Sequence, residues 1–403
     1  MDNKFVTYIA VLWLFVVLDS FFIWNSYELM IVLFSNSLVL YVSFRNFQQN
    51  GLSINGKTFS VLLAVSVFSL WKILVNTANI YGFFFNFISL VTLVSIMLWP
   101  IDCYEKIYKV FRRFVIFICI GSSFVSLLTI LGVIGYIPYF ELPPRSSLHE
   151  SLGVVYHVYG CFVTVYSGYD FLPRACGVLQ EPGHFAIVLG FVYMADRLLK
   201  YKISVWVLVC GILTFSSNFP IIVFITEFYN ILKIKNLFVI IKYAIVFLFL
   251  GYVAYQSLSK DMQSTVKYLA YERNLEVVVD AVVTSGSLTE ALDERTDISG
   301  DMAYKRINSS NVWFGLGHED SFFTLSDYRG IIMKYGLIGL LLIVLAIFTV
   351  TREFPWRQRI QVIAFLLLVL IHRSWMFTAP YLYFLPYMTS KLYFKSKINA
   401  SIL

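Results

Sequence analysis

Along the chain, long apolar runs alternate with short polar connections. The runs fall at 5–24, 28–44, 58–75, 81–99, 114–136 and 182–199, then at 203–219, 220–232, 236–255, 331–350, 360–371 and 375–394. A helix crosses a bilayer with about 20 such residues, so each run predicts a membrane span. The runs at 220–232 and 360–371 are short, which leaves a count of ten to twelve. No small-residue cleavage site follows the first run, so it reads as a span and not as a signal peptide. No internal repeat is visible, which weakens a transporter built from duplicated halves. The predicted fold is an all-α polytopic integral membrane protein of about twelve transmembrane helices, one membrane domain over 1–403.

Composition narrows the class. Hydrophobic residues make up 59% of the chain, aromatic residues 18% and charged residues 14%, against roughly 45–50% apolar and about 25% charged in soluble domains. A soluble chain, a disordered chain and a nucleic-acid binder are excluded despite the net charge of +7; membrane lipids are the expected surroundings. Basic residues test the topology. With twelve spans and the N-terminus inside, eighteen Lys and Arg residues fall on the cytoplasmic side, including Lys106, Lys109, Arg112 and Arg113, and Arg352, Arg357 and Arg359. The short outer loops carry only Lys72 and Arg373, as the positive-inside rule requires, and both termini are then cytoplasmic.

Two outer segments are long, 137–181 and 256–330. The second carries seven basic and twelve acidic residues, and long loops cross regardless of charge. Loops of this length between short connections are usually functional, so the working surface is expected on the outer face. The five cysteines show no CxxC pair and no zinc spacing. Cys161 and Cys176 share one polar stretch, so one disulfide there is open. Two acids fall within spans, Asp19 and Glu227, and both read as structural: Asp19 can reach the interface and Glu227 lies in a short segment.

The first long loop ends Arg174-Ala-Cys-Gly-Val-Leu-Gln-Glu-Pro-Gly-His184 and a span follows at once. Pro182 suits the first turn of a helix, with Glu181 just outside it, and Gly177 lets backbone approach closely. Arg174, Glu181 and His184 are thereby expected at the mouth of a helical bundle. Arginine offers a planar, always charged fork suited to phosphate, and a carboxylate or imidazole beside it can take a proton from a hydroxyl. The plain alternative is that Glu181 caps a helix and Arg174 pairs with it.

The second long loop closes with Gly315-Leu-Gly-His318, then Ser326-Asp-Tyr-Arg329, then Gly336-Leu-Ile-Gly339. The first part is not a dinucleotide motif, since the third glycine is missing. Asp327 and Arg329 flank the start of a span on the same outer side as Arg174, and Arg306 and His318 lie in the loop. Solvated charges on a plain turn are the alternative. Gly336 and Gly339 read as sites of close helix packing.

Arg174-x-x-Gly177-x-x-x-Glu181-Pro182, together with the GxG segment and its Gly-Leu-Ile-Gly continuation, resembles the O-antigen and capsular polysaccharide polymerases, which share a superfamily with the O-antigen ligases. The resemblance covers roughly 174–342, and the N-terminal half is similar in hydropathy alone. It implies ten to fourteen spans in a bacterial inner membrane, a large periplasmic loop late in the sequence, and a metal-independent, inverting glycosyl transfer with no cofactor. Polyprenyl-diphosphate-linked oligosaccharides would be the substrates and a chain-length regulator protein a partner. Arg174, with Arg306 or Arg329 and with His184, would hold the diphosphate. Glu181, Asp327 or His318 would act on the acceptor hydroxyl. Ligases and many polymerases carry a His-Asn pair where this chain has Ser326-Asp327, which favours a polymerase over a ligase and leaves the replacement for the family histidine open. A lipid-linked oligosaccharide flippase is the rival from another class; it calls for a charged central cavity and short loops.

Overall fold

A computed structural model describes residues 3–23, 27–51, 54–76, 80–131, 133–143, 154–166, 174–231, 256, 263, 311–317 and 327–402. These residues are mostly helical: α1 (Asn3–Val17), α2 (Glu28–Asn50), α3 (Gly56–Asn76), α4 (Ile80–Met97), α5 (Ile101–Ile130), α6 (Pro182–Leu198), α7 (Val205–Leu213), α8 (Asn218–Ile231), α9 (Asn311–Phe314), α10 (Tyr328–Val350), α11 (Trp356–His372) and α12 (Tyr381–Ile402). Stretches within α2, α3, α5 and α10 (Glu28–Gln49, Gly56–Val75, Ile101–Thr129 and Tyr328–Val350) are long and apolar enough to cross a membrane. The expected span at 236–255 and most of 256–330 lie outside the described residues.

Several boundaries depart from the hydropathy runs, each for a local reason. Helix α1 stops at Val17 because the chain turns at Asp19, whose φ of 56° is the left-handed conformation that Asp tolerates better than most residues. Asp19 therefore follows the helix instead of lying in it. Helix α5 starts at Ile101, well before the apolar run at 114–136. Its first turns are amphipathic: Ile107, Tyr108 and Phe111 are buried, while Lys109 pairs with Glu105 at 2.7 Å one turn back. The Lys106–Arg113 cluster is thus helix and not connection. Helix α7 has only 9 residues, about 14 Å at 1.5 Å each, and Thr214–Ser217 separates it from α8.

The chain divides into two compact units. The first comprises Met1–Phe114, Leu198–Tyr201 and Asp297–Leu403; the second comprises Val115–Arg197 and Lys202–Thr296. In the first unit, indole N–H groups tie the apolar helices together through buried hydrogen bonds. Trp13 donates to Asn36 at 2.9 Å and Trp99 to Ser43 at 2.8 Å. Beside α3, Gly336 breaks α10 with a φ of 71°. Trp71 of α3 donates to the Tyr335 carbonyl at this kink, at 2.9 Å, and the Leu316 N–H donates to Met333 O at 2.6 Å. The GxG segment is thereby seated on the kink. A Cβ at Gly315 would meet Gly336 N and Lys334 O at 2.7 Å, and one at Gly336 would strike the Trp313 carbonyl. We expect Gly336→Ala to cost about 1–3 kcal/mol, from a side chain forced into a left-handed backbone. Thermal unfolding in detergent measures it, and an unshifted curve would refute the account.

In the second unit, β1 (Phe140–Leu142), β2 (Val155–Tyr159), β3 (Phe162–Tyr166) and β4 (Arg174–Gly177) form an antiparallel sheet in sequence order. An all-helical chain was expected, and this sheet departs from it. Strands β2 and β3 make a hairpin with Tyr159 opposite Phe162, turned by Gly160 at φ 65° and Cys161. Cys161 is exposed, Cys176 is buried, and both are free thiols, which settles the disulfide question against a bridge. Helix α6 is buried from Pro182 to Asp196, as suits a helix that is apolar all round. It lies against α8, where a Cβ at Gly190 would meet Ile222 at 2.6 Å. Two further positions on the same face, Tyr193 and Arg197, reach Glu227. Its carboxylate accepts from Tyr193 at 2.8 Å, from Arg197 Nη2 at 2.6 Å and from Asn230 at 2.8 Å. Glu227 locks two helices together, in line with the structural role expected of it.

Candidate functional site

The Arg174–His184 segment folds as strand, turn and helix start. The β3–β4 ladder pairs Val165 with Arg174, Thr164 with Ala175 and Val163 with Gly177, so Cys176 is the extra residue of a bulge. Gly177 takes a φ of 67°, and a Cβ there would meet the Phe185 ring at 2.5 Å. Only glycine permits both the turn and this close approach of Phe185, which sits in the first turn of α6. The Glu181 carbonyl accepts the first helical bond, from Phe185 N at 3.0 Å, so Glu181 stands at the N-cap with its side chain half-buried.

Arg174 is fixed by backbone. Its Nε donates to Thr214 O at 3.2 Å and its Nη2 to Phe215 O at 3.4 Å. These carbonyls follow the C-terminus of α7, where the helix dipole favours a cation. Phe215 has a φ of 47°, a strained conformation for a non-glycine residue, and such strain gathers at functional sites. The Cys176 thiol senses both charges of the motif. Burial pushes its pKa well up, Arg174 opposes the rise and Glu181 adds to it. Arg174 and Glu181 therefore converge on one small region around Cys176. His184 joins them in sequence but is enclosed, only 1% exposed.

The sheet adds an aromatic cluster beside this motif. The His157 ring lies 4.2 Å from that of Tyr139 and 4.5 Å from that of Tyr166, and Tyr139 lies 5.4 Å from Tyr159. Burial lowers the His157 pKa while Glu141, 3.5 Å away, opposes the drop. The cluster is capped by Tyr139, which is exposed, as are Tyr136 and Phe140.

In the first unit, Asp327 and Arg329 come together as a closed pair. Asp327 is the N-cap of α10, accepting from Arg329 N at 2.9 Å. Its other oxygen accepts from Arg329 Nε at 2.9 Å and Nη2 at 2.7 Å, while Ser374 donates to the Asp327 carbonyl. A carboxylate held this fully is built to cap a helix. Arg306 and His318 lie outside the described residues, as does Ser326. Among the described residues no three His, Cys, Asp or Glu side chains gather in the manner of a metal site.

Two groups escaped sequence reasoning. Lys72, in the last turns of α3, donates to Thr378 O at 3.0 Å and lies within electrostatic reach of Lys334, so this end of the first unit gathers Lys72, Arg329 and Lys334. A lysine interrupting the apolar run at 58–75 was the available signal. Asn218 starts α8 just after the backbone that Arg174 holds. It is 5% exposed, and its Oδ1 has no hydrogen-bond partner among the described residues, which buried polar atoms rarely tolerate. Compared with known proteins, the chain matches no family model, no curated protein and no solved structure.

Proposed function

We propose that this membrane protein polymerises a surface polysaccharide, joining polyprenyl-diphosphate-linked oligosaccharide units at the outer face of a bacterial inner membrane. The observation that carries the reading is geometric: a strand, a bulge and a helix start set Arg174, its guanidinium on the Thr214 and Phe215 carbonyls, seven residues ahead of Glu181 at the N-cap, with Cys176 between them. A rigid strand, a bulge and a helix start hold a fixed cation and a carboxylate together, as positioning catalysis needs. The strained backbone at Phe215 and the unsatisfied Asn218 add polar features beside Arg174. Beside His157, the exposed ring of Tyr139 supplies a flat apolar face for the C–H face of a pyranose.

In this scheme the hydroxyl of an incoming lipid-linked unit attacks the anomeric carbon of the growing chain. The bond from that carbon to the diphosphate oxygen breaks with inversion, and polyprenyl diphosphate leaves with the electron pair. Glu181 takes the hydroxyl proton and Arg174 balances the charge on the diphosphate. Asp327 is set aside as a base because it caps α10. A chain-length regulator is the protein partner that fits a polymerising enzyme.

The test is a deletion strain whose surface polysaccharide is resolved on a gel, complemented with wild-type or Glu181→Gln protein at matched membrane abundance. Deletion should leave a single repeat unit attached, and Glu181→Gln should lower ladder formation on the order of 100-fold or more. Loss of every attached unit on deletion would make the protein a ligase or flippase. A normal ladder from Glu181→Gln would reduce that residue to a helix cap.

A further inference from the structure

At the opposite end of the first unit from Asp327 and Arg329, the helices surround a cleft of about 1090 Å³. All four span-length helices bring an end to it. Gly51 follows α2, Gly56 and Thr58 begin α3, Ile101 begins α5, and Arg352 follows α10, and each of these residues lines the cleft. The apolar stretches of α2, α3 and α10 end beside these residues, and α5 enters through its amphipathic first turns, which places the cleft at a membrane edge.

Its chemistry is uneven. Lys57, Arg352 and Lys391 line it against one carboxylate, Glu353. Lys391 and Glu353 neutralise each other at 2.6 Å, with side chains only 13% and 9% exposed. Lys57 and Arg352 are exposed, and among the described residues neither has a carboxylate within ion-pair distance. Lys57 instead lies 5.6 Å over the Phe394 ring. The N-termini of α3 and α5 open into the same space and add partial positive charge. Phe47, Met97 and Phe394 form apolar walls.

From this arrangement we infer that the cleft binds the phosphate of an anionic membrane phospholipid, with Lys57 and Arg352 on the headgroup and the apolar wall against the upper acyl chains. Two uncompensated cations select an anion over a zwitterion, and basic pockets between spans are suited to such headgroups. A free phosphate shares the charge but has no use for the apolar wall. The site is independent of the proposed polymerisation and lies away from Arg174, Glu181 and Asp327 in sequence and role.

The experiment reconstitutes the full chain into nanodiscs of phosphatidylcholine and phosphatidylglycerol in equal amounts, extracts it in detergent, and counts co-purifying phospholipid by mass spectrometry. Wild-type protein should retain phosphatidylglycerol in excess. Lys57→Gln with Arg352→Gln should lower that excess by about fivefold for each charge removed. Arg45→Gln with Arg357→Gln removes two basic groups that do not line the cleft, and should leave the excess unchanged. Equal retention by the wild type and the cleft variant, or an equal loss in the control variant, would overturn the site. Displacement of the lipid by millimolar pyrophosphate would overturn the lipid and assign the cleft to a soluble phosphate.

Discussion

Replacing Lys391 by Met should destabilise the protein by about 3–5 kcal/mol, the effect of stranding a buried carboxylate. Glu353 and Lys391 approach to 2.6 Å with almost no exposure. Lys391 also donates to Thr58 Oγ1 at 3.0 Å, and the Tyr387 hydroxyl reaches the same oxygen at 3.4 Å. The interaction joins α12 to the start of α3 and to the turn after α10, three points far apart in sequence. With methionine at 391, Glu353 must either stay charged without its partner or take up a proton. Chemical or thermal unfolding in micelles measures the loss. The companion variant, Lys391→Met with Glu353→Leu, should recover most of it, because an apolar pair needs no desolvated charge. If the single variant unfolds like the wild type, the pair is solvated and contributes no more than a surface bridge. If the double variant is as unstable as the single one, packing around the methionine is responsible instead.

Much of the helical architecture was legible, because a membrane helix needs a long apolar run and such a run has few other uses. The runs at 28–44, 58–75 and 331–350 coincide with α2, α3 and α10 to within a few residues on their apolar sides. Hydropathy could not show that α5 begins at Ile101, since its first turns are amphipathic and hide their buried face among lysines and arginines. Nor could it show the kink at Gly336, against which the fold brings the Trp313 carbonyl. The sheet was legible in principle. Val155–Tyr159 and Phe162–Tyr166 are β-branched and aromatic strands around a Gly-Cys turn, the pattern of a hairpin. A polar stretch between spans reads as loop, and that reading hides the hairpin.

The site followed the same division. The spacing of Gly177, Glu181 and Pro182 showed a turn into a helix start, and the structure has it. The partners of Arg174 were beyond reach, because Thr214 and Phe215 offer only carbonyls, and a carbonyl leaves no mark on the sequence. The closed pairing of Asp327 with Arg329 two residues on depends on a side-chain conformation that the sequence does not show.

Arg174 is where structure and chemistry make separable demands. Arg174→Lys retains the positive charge near the end of α7 but replaces a planar fork by a single ammonium. It should still place charge near the Thr214 and Phe215 carbonyls, so folding should fall by about 1–3 kcal/mol at most, the scale of hydrogen bonds from a charged donor. Ladder formation should fall far more, on the order of 100-fold, if the guanidinium also holds a diphosphate through paired bonds. Amide hydrogen exchange across Thr214–Asn218 separates the two contributions. Near-normal protection with a lost ladder places the defect in substrate binding. Equal loss of protection and ladder makes Arg174 a residue that positions the α7–α8 break. A normal ladder with weakened protection confines it to that structural role, and the diphosphate must then be balanced elsewhere, with Lys72, Arg329 and Lys334 the next cations to remove.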